Sequence, residues 1–354
     1  MKKELSAIDA KFEAQKLAWG PIYFQALVSL RDLGVLEYIH KKRRVGASIS
    51  DICAELKISD YGVRVLLEAA AVANVVDYID DDNITLTKTG FFWIKDELTR
   101  VNINYVNDVC YEGAKSLTDC IVNGKAEGLK VFGDWNTIYE ALAVLPEKAK
   151  TSWFEFDHYY SSDAFPYALE IVMKNKPKYI FDIGGNTGKW SFACCEHNEE
   201  VKVKILDLPG QLNVAKQNAL EKGFADRIDF HQINLLDSFQ KIPQGADVIW
   251  MSQFLDCFSK EEIVVILKNV FQAANEDTDI YIMEPFTDNQ EYEAATHSLV
   301  GTSLYFTIMA NGNSRMYSVK TMKELAVEAG LTVAEEFNLI GNSYHSIIRC
   351  KKIN

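Results

Sequence analysis

Two patterns of apolar spacing divide the chain near residue 165. Up to that point apolar residues recur at helical spacing, apart from one short strand-like patch. From about residue 177, short apolar runs alternate with amphipathic stretches, the signature of βαβ units and a parallel sheet. The spacing therefore predicts two domains, residues 1–165 and 166–354. Within the first, residues 19–39 are apolar on nearly every face. Such a helix must be buried, either in its own domain or by a second subunit. Residues 50–59 predict a short helix opened by Ser50 and Asp51, and Asp60 is expected to cap a second over residues 61–73. Residues 75–80 and 84–87 flank Asp81-Asp82-Asn83 as a β-hairpin. Helix, turn, helix and hairpin is the order of a winged helix.

In the second half, runs at 178–183, 201–206, 227–233, 246–251 and 279–284 predict five parallel strands. Runs at 331–337 and 343–350 predict a closing antiparallel hairpin. The first strand ends at Asp182-Ile183 and enters Gly184-Gly185-Asn186-Thr187-Gly188, followed by a helix from Lys189 to His197. A glycine turn at a strand's carboxyl end is where open α/β sheets bind ligands, because the backbone can approach closely and helix amides face the ligand. The dinucleotide fingerprint needs glycines at i, i+2 and i+5. Counted from Gly184, Asn186 and Lys189 fill the other two places, so that reading fails. Asp182 followed by Gly184, Asn186 and Gly188 fits the D/E-x-G-x-G-x-G loop of S-adenosylmethionine enzymes, with Asn at the middle glycine. Asp207, ending the second strand, can accept both hydroxyls of a ribose, and Leu208 can lie on a purine face. The plainer role for Asp207 is a helix N-cap. Asn234 can pair with an adenine edge, and Ser252-Gln253 end the fourth strand.

Charge narrows the function classes. Lys+Arg 37 against Asp+Glu 50 gives −13, which argues against non-specific nucleic-acid or anionic membrane binding. The second helix of the expected winged helix carries one basic residue, Arg64, and its hairpin carries Asp77, Asp80, Asp81 and Asp82. A DNA-reading helix needs basic or amide side chains facing bases, so this module reads as a packing element and no nucleic-acid partner is expected. The amino-terminal stretch is interrupted by Glu4, Asp9, Lys11 and Glu13 and does not read as a signal peptide. No apolar run is long enough to span a bilayer, so no membrane partner is expected. Seven cysteines without paired C-x2-C motifs, Cys194 and Cys195 among them, read as reduced thiols in a cytoplasmic protein without a metal site.

Taken together, the motifs resemble the small-molecule O-methyltransferase family that includes the plant caffeate-type and bacterial tailoring enzymes. The resemblance runs through Ile22-Tyr-Phe-Gln-Ala-Leu27, Tyr61-Gly-Val-Arg-Val-Leu-Leu-Glu68, Leu86-Thr-Lys-Thr-Gly90, Phe181 to Gly188 and Asp207-Leu-Pro209. It implies a class I, Rossmann-like seven-stranded α/β sheet with a terminal antiparallel hairpin, preceded by a mainly helical winged-helix domain that makes a homodimer. It further implies S-adenosylmethionine as cofactor, S-adenosylhomocysteine as product, and an oxygen of a small, aromatic acceptor as methyl recipient. By the same resemblance Asp182, Gly184, Gly185, Asn186, Gly188, Asp207, Leu208, Asn234, Leu235, Ser252 and Gln253 line the cofactor. The aromatic segment 153–162 would lie over its methionine end, bringing His158 and Tyr160; the plainer reading of the segment is an interdomain core helix with a satisfied histidine.

The chain departs from the family at the catalytic base. The family's Leu-His-Asp-Trp reads Leu255-Asp256-Cys257-Phe258, so Asp256 stands in the histidine's place. The first of two flanking acids matches Glu284, and the second falls on Met316. The expected base is Asp256 or His158, an imidazole ordinarily matched to neutral pH, with Glu284 supporting. Carbon or nitrogen methylation, and a cofactor-binding regulatory protein without turnover, remain as alternatives. The acceptor pocket is expected among apolar residues 299–309.

Overall fold

The structure is a computed structural model and describes residues 5–142, 144–341 and 344–352. The chain divides into two compact units, Met1–Val106 and Asn107–Asn354. Residues 107–165 thus belong to the second unit, whereas their helical spacing had grouped them with the first. Spacing marks a helix but does not say which core receives it.

In the first unit, the apolar stretch 19–39 is not one helix. A helix spans Ala7–Asp32, and a second, Val35–Lys42, follows the left-handed Gly34 (φ +78°). Only the end of the long helix is buried, at Leu27, Val28 and Leu30. The next two helices, Ile49–Leu56 and Asp60–Val72, are capped by Ser48 and Ser59, whose hydroxyls accept from the Asp51 and Gly62 amides. The caps lie one or two residues before those expected. Ser48 ends strand β1 (Ala47–Ser48), so its extended backbone already has the N-cap conformation. Strands β2 (Val76–Tyr78) and β3 (Asn83–Leu86) form the hairpin, and β1 pairs with β3 in an antiparallel sheet of order β1-β3-β2. Asp80 closes the turn by accepting from the Asp82 and Asn83 amides. Arg64 is engaged by Asp60 at 3.0 Å and Asp82 at 3.2 Å, which occupies the single cation of the second helix.

The second unit is built on seven strands: β4 (Tyr179–Ile183), β5 (Lys202–Asp207), β6 (Ile228–Gln232), β7 (Val248–Ser252), β8 (Asp279–Glu284), β9 (Leu331–Phe337) and β10 (Ser346–Lys352). Their order is β6-β5-β4-β7-β8-β10-β9, with β10 antiparallel to both neighbours and the remaining pairs parallel. The second strand of the closing hairpin is expected to begin at Ser343, which lies outside the described residues. Alternate side chains enter two cores. Phe181, Ile249, Met251 and Ile282 face one, while Ile180, Val248, Trp250 and Tyr281 face the other. Parallel register aligns Ile183 with Leu206 and Met251, and Ser252 with Met283. The carboxyl ends of β5, β4, β7 and β8 therefore form one edge, which carries the expected site residues.

Candidate active site

Between β4 and the helix Lys189–His197 the backbone makes the glycine turn. Gly184, Asn186 and Gly188 all take positive φ, at +70°, +49° and +91°. Two of the glycines are required by close packing. A methyl on Gly184 would overlap the Phe254 ring, and one on Gly188 would come within 2.7 Å of the Phe192 ring. Asn186 is the exception, a residue type that tolerates the left-handed conformation at small cost. The Gly184 amide donates to the Leu206 carbonyl at 2.9 Å, which fastens the loop to β5.

Asp207 ends β5 with each carboxylate oxygen holding one backbone amide: Oδ2 accepts from Asn186 at 2.8 Å and Oδ1 from Leu208 at 2.7 Å. It is not the N-cap of the following helix, Pro209–Lys222, whose cap position is Leu208. Each oxygen keeps a further lone pair for another donor. Burial pushes the Asp207 carboxyl above its ordinary range, and the two amides draw it back. Leu208 is exposed beside it. Asp182 lies deeper: it is buried, accepts from the Ser191 hydroxyl at 2.6 Å, and burial pushes it up to about 7. It supports the loop from below. Asn234 is exposed, with its side-chain oxygen accepting from the Leu236 amide, whereas Leu235 is buried in the sheet core.

At the end of β7, Ser252 is half-buried and Gln253 adopts φ +46°. The Gln253 amide donates to the Met283 carbonyl at 3.0 Å, while its side-chain Oε1 is buried without a hydrogen-bond partner among the described residues. A strained backbone together with an orphaned acceptor at a strand edge marks a place prepared for a donor. A tight turn, Leu255–Cys257, then presents Asp256. Glu284 builds this turn, since its Oε1 accepts from the Phe254 amide at 3.1 Å and the Leu255 amide at 3.0 Å. Asn311 and Tyr317 hold the turn from outside, donating to the Cys257 and Phe258 carbonyls at 2.6 and 2.7 Å. Met316 is buried, so no second acid stands at that position.

The electrostatics separate the two expected bases. Asp256 is 4% and Glu284 2% exposed. Burial, reinforced by Asp157, pushes the Asp256 carboxyl up to about 7. Burial and the neighbouring Asp256 push Glu284 well above the carboxylate range. Like charges in one dry site cannot both ionise, so the pair retains a proton near neutral pH. His158 moves the other way. Burial first, and then Lys189, lower it to about 4. The expectation that His158 matches neutral pH therefore fails, because loss of water penalises its cation. Asp157, on the same helix Glu147–Ser162, is pushed up to about 6 by burial. The side chain of Tyr160 lies outside the described residues. In the same unit the Trp153 indole donates to the Tyr305 hydroxyl at 2.7 Å. Tyr139 faces Cys257, Tyr305 and Asp256. Lys189, Tyr139 and Phe254 were not anticipated from sequence. The requirement for glycine at 184 signals a ring pressed on the loop, but not which ring.

A family model for an O-methyltransferase domain matches residues 116–332, more than half of the chain. The chain belongs to the O-methyltransferase domain family. A Dimerisation2-like domain model matches residues 11–83. Among curated relatives, the bacteriochlorophyllide d C-20 methyltransferase of Chlorobaculum tepidum is 24% identical over 44% of this chain and 46% of its own. The demethylspheroidene O-methyltransferase of Rhodobacter capsulatus is 25% identical over 52% of this chain and 44% of its own. The chain thus spans less than half the length of these relatives. Among solved structures, the S-adenosylmethionine-dependent methyltransferase SibL superposes with a TM-score of 0.73 at 20% identity, covering 99% of this chain and 100% of that one. This likeness extends the shared fold across both units. The matched span, residues 116–332, contains the glycine turn, the acid ending β5 and the turn that carries Asp256.

Proposed function

We propose that the protein is a cytoplasmic S-adenosylmethionine-dependent methyltransferase whose acceptor is an oxygen of a small aromatic molecule. The observation that carries this reading is the joint between loop and strand, where Asp207 accepts the Asn186 amide while keeping acceptor capacity at the carboxyl edge. The buried, partnerless Gln253 Oε1 on the same edge calls for a donor, as an amino group would supply. These features fit the cofactor. Asp207 and Leu208 would hold the ribose and purine, Asn234 the adenine edge, and Gly184, Gly185, Asn186 and Gly188 the thioether and its amino-acid end. When bound, S-adenosylmethionine supplies an electrophilic methyl group.

The chain's own part is positioning and proton removal. Asp256 accepts the proton of the acceptor hydroxyl. Glu284 is a positioning residue: it fixes the turn that carries Asp256 through two amides. A carboxyl pushed up to about 7 is a far better proton acceptor than one near 4. A carbon or nitrogen acceptor is the second reading, favoured by one observation: a carboxyl replaces the imidazole, and such acceptors need a weaker base. One relative, 24% identical over 44% of this chain, is named as a C-20 methyltransferase.

The first unit serves as a winged-helix dimerisation module in this reading. Leu5, Ile8, Phe12, Trp19 and Ile22 recur at helical spacing and are exposed, with Trp19 at 56% and Ile22 at 62%. A second copy is the proposed cover. Arg64 is already paired and the hairpin is acidic, which speaks against a nucleic-acid partner. Among the described residues no helix is long and apolar enough to cross a membrane, and all seven cysteines are free. The test is transfer of isotope-labelled methyl from S-adenosylmethionine to a panel of phenols, anilines and carbon nucleophiles. Labelled product from phenols supports the oxygen reading, and label on carbon or nitrogen supports the second. Tight S-adenosylhomocysteine binding with no turnover on any acceptor supports a regulatory protein.

A further inference from the structure

The antiparallel end of the sheet builds a cavity of its own. In the register, Arg349 of β10 stands between Tyr281 of β8 and Glu335 of β9, so the three side chains share one face. Phe337, two residues along β9 from Glu335, points the same way. The helix Phe165–Val172 and the turn Met173–Asn175 pack on this face, and Asn175 ties them to β8 by donating to Asp279 at 3.1 Å. Between helix and strands lies a cavity of about 270 Å³, walled by Ile171, Phe337 and Tyr281 and by the charged Glu170, Lys174 and Arg349. That size falls just under the usual range for small-molecule sites. Tyr281 and Asp279 lie in the first half of β8, whereas the cofactor edge is at the strand's carboxyl end. The charges around the cavity are only partly matched. Arg349 Nη2 meets Glu335 at 3.2 Å and Nη1 approaches Asp279 at 3.9 Å, an acid that Lys351 also engages at 3.0 Å. Arg349 Nε is buried with no hydrogen-bond partner among the described residues. Folded chains seldom leave such a donor unmet. Glu170 and Lys174 stand one helical turn apart at the exposed rim, and no ion pair joins either to another described side chain.

We propose that this cavity binds a free α-amino acid with an aromatic side chain. Arg349 Nε and Lys174 take the carboxylate, Glu170 takes the ammonium, and Ile171 and Phe337 hold the ring. Charge selects this class. With Glu335 matched to Arg349, one rim cation and one rim anion remain, so a zwitterion leaves the site balanced and a singly charged ligand does not. The contacts to Nε, Lys174 and Glu170 are charge-assisted hydrogen bonds, which are stronger than neutral ones. The apolar wall demands a hydrophobic side chain, and the volume limits it to about a single ring. The site is separate from the cofactor crevice and does not depend on the methyltransferase reading.

The probe is L-phenylalanine, titrated into the full chain by calorimetry at millimolar concentration. Three analogues each lack one feature: phenethylamine the carboxylate, 3-phenylpropionate the ammonium, and L-alanine the ring. L-Phenylalanine is expected to bind saturably and each analogue about tenfold or more weakly. Lys174→Met and Glu170→Gln, both on the exposed rim, should each weaken L-phenylalanine about tenfold. Arg349→Lys keeps the charge but removes Nε, and should weaken it similarly. Thermal denaturation checks that each variant is folded. Asp207→Ala, at the cofactor edge, should bind L-phenylalanine as the wild type does. No saturable binding to the wild type overturns the proposal, as does an analogue that matches L-phenylalanine. Full affinity in the folded Lys174 and Glu170 variants, or loss of binding in Asp207→Ala, places the ligand elsewhere and overturns it too.

Discussion

Replacing Asp256 by Asn keeps the shape of the side chain and removes its ability to take a proton. General-base catalysis contributes roughly 10²–10⁴-fold, so turnover on a phenolic acceptor should fall by about that factor. The wild-type pH profile follows from the carboxyl's position near 7, set first by burial and then by Asp157. Only the ionised form accepts a proton. Turnover should therefore fall about tenfold per pH unit below 7 and level off above it. Asp157→Asn removes the like charge, lowers the Asp256 pKa and moves this acidic limb to lower pH. The shift should be modest, because burial is the larger cause. The assay is single-turnover methyl transfer between pH 5.5 and 8.5, with cofactor affinity measured in every variant. A flat profile together with wild-type turnover in Asp256→Asn would refute the base assignment. Positioning of an already ionised or carbon acceptor would then be the better account. His158→Gln should change turnover little by comparison, since burial and Lys189 lower that imidazole to about 4.

Three further outcomes follow from the packing. Gly184→Ala places a methyl into the Phe254 ring at φ +70° and should cost at least about 1–3 kcal/mol of stability, read by thermal denaturation. Asp182 is raised to about 7 by burial, above its unfolded value, so the folded state binds the extra proton between about pH 4 and 7. Its contribution is fully present below the unfolded pKa and is lost as pH rises through 7; Asp182→Asn should therefore gain stability relative to wild type as pH rises across that window. Trp19→Asp places a charge on the exposed apolar stripe and should convert a dimer to a monomer by light scattering at micromolar concentration. A wild type that is already monomeric would remove the dimer proposal.

Much of the catalytic half was legible because it is written in local patterns. All seven strand runs appear within a few residues of their expected places, since buried parallel strands are short, apolar and bounded by turns. The glycine turn and Asp207 were visible for the same reason, as a motif at a strand end. The parts that sequence reasoning missed depend on distant chain. Gly34 interrupts an apolar run that looked continuous, because a left-handed residue ends a helix whatever the hydrophobicity around it. Helix caps moved because strand β1, only two residues long, set the backbone before them. The proton chemistry was the least legible. Asp157, Asp256 and Glu284 are far apart in sequence, and only the fold removes their water and sets them against one another. His158 looked suited to neutral pH for as long as its burial was unseen.

In the proposed function, the crevice between the glycine turn and Asp207 holds the adenosine portion of the cofactor. Titration calorimetry of S-adenosylhomocysteine into the wild type and Asp207→Ala tests it most directly. Removing the carboxylate leaves the two ribose hydroxyls without their acceptor, so binding should weaken about ten- to a hundredfold while the fold persists. Equal affinity in both proteins, or a wild type that does not bind, would contradict the account.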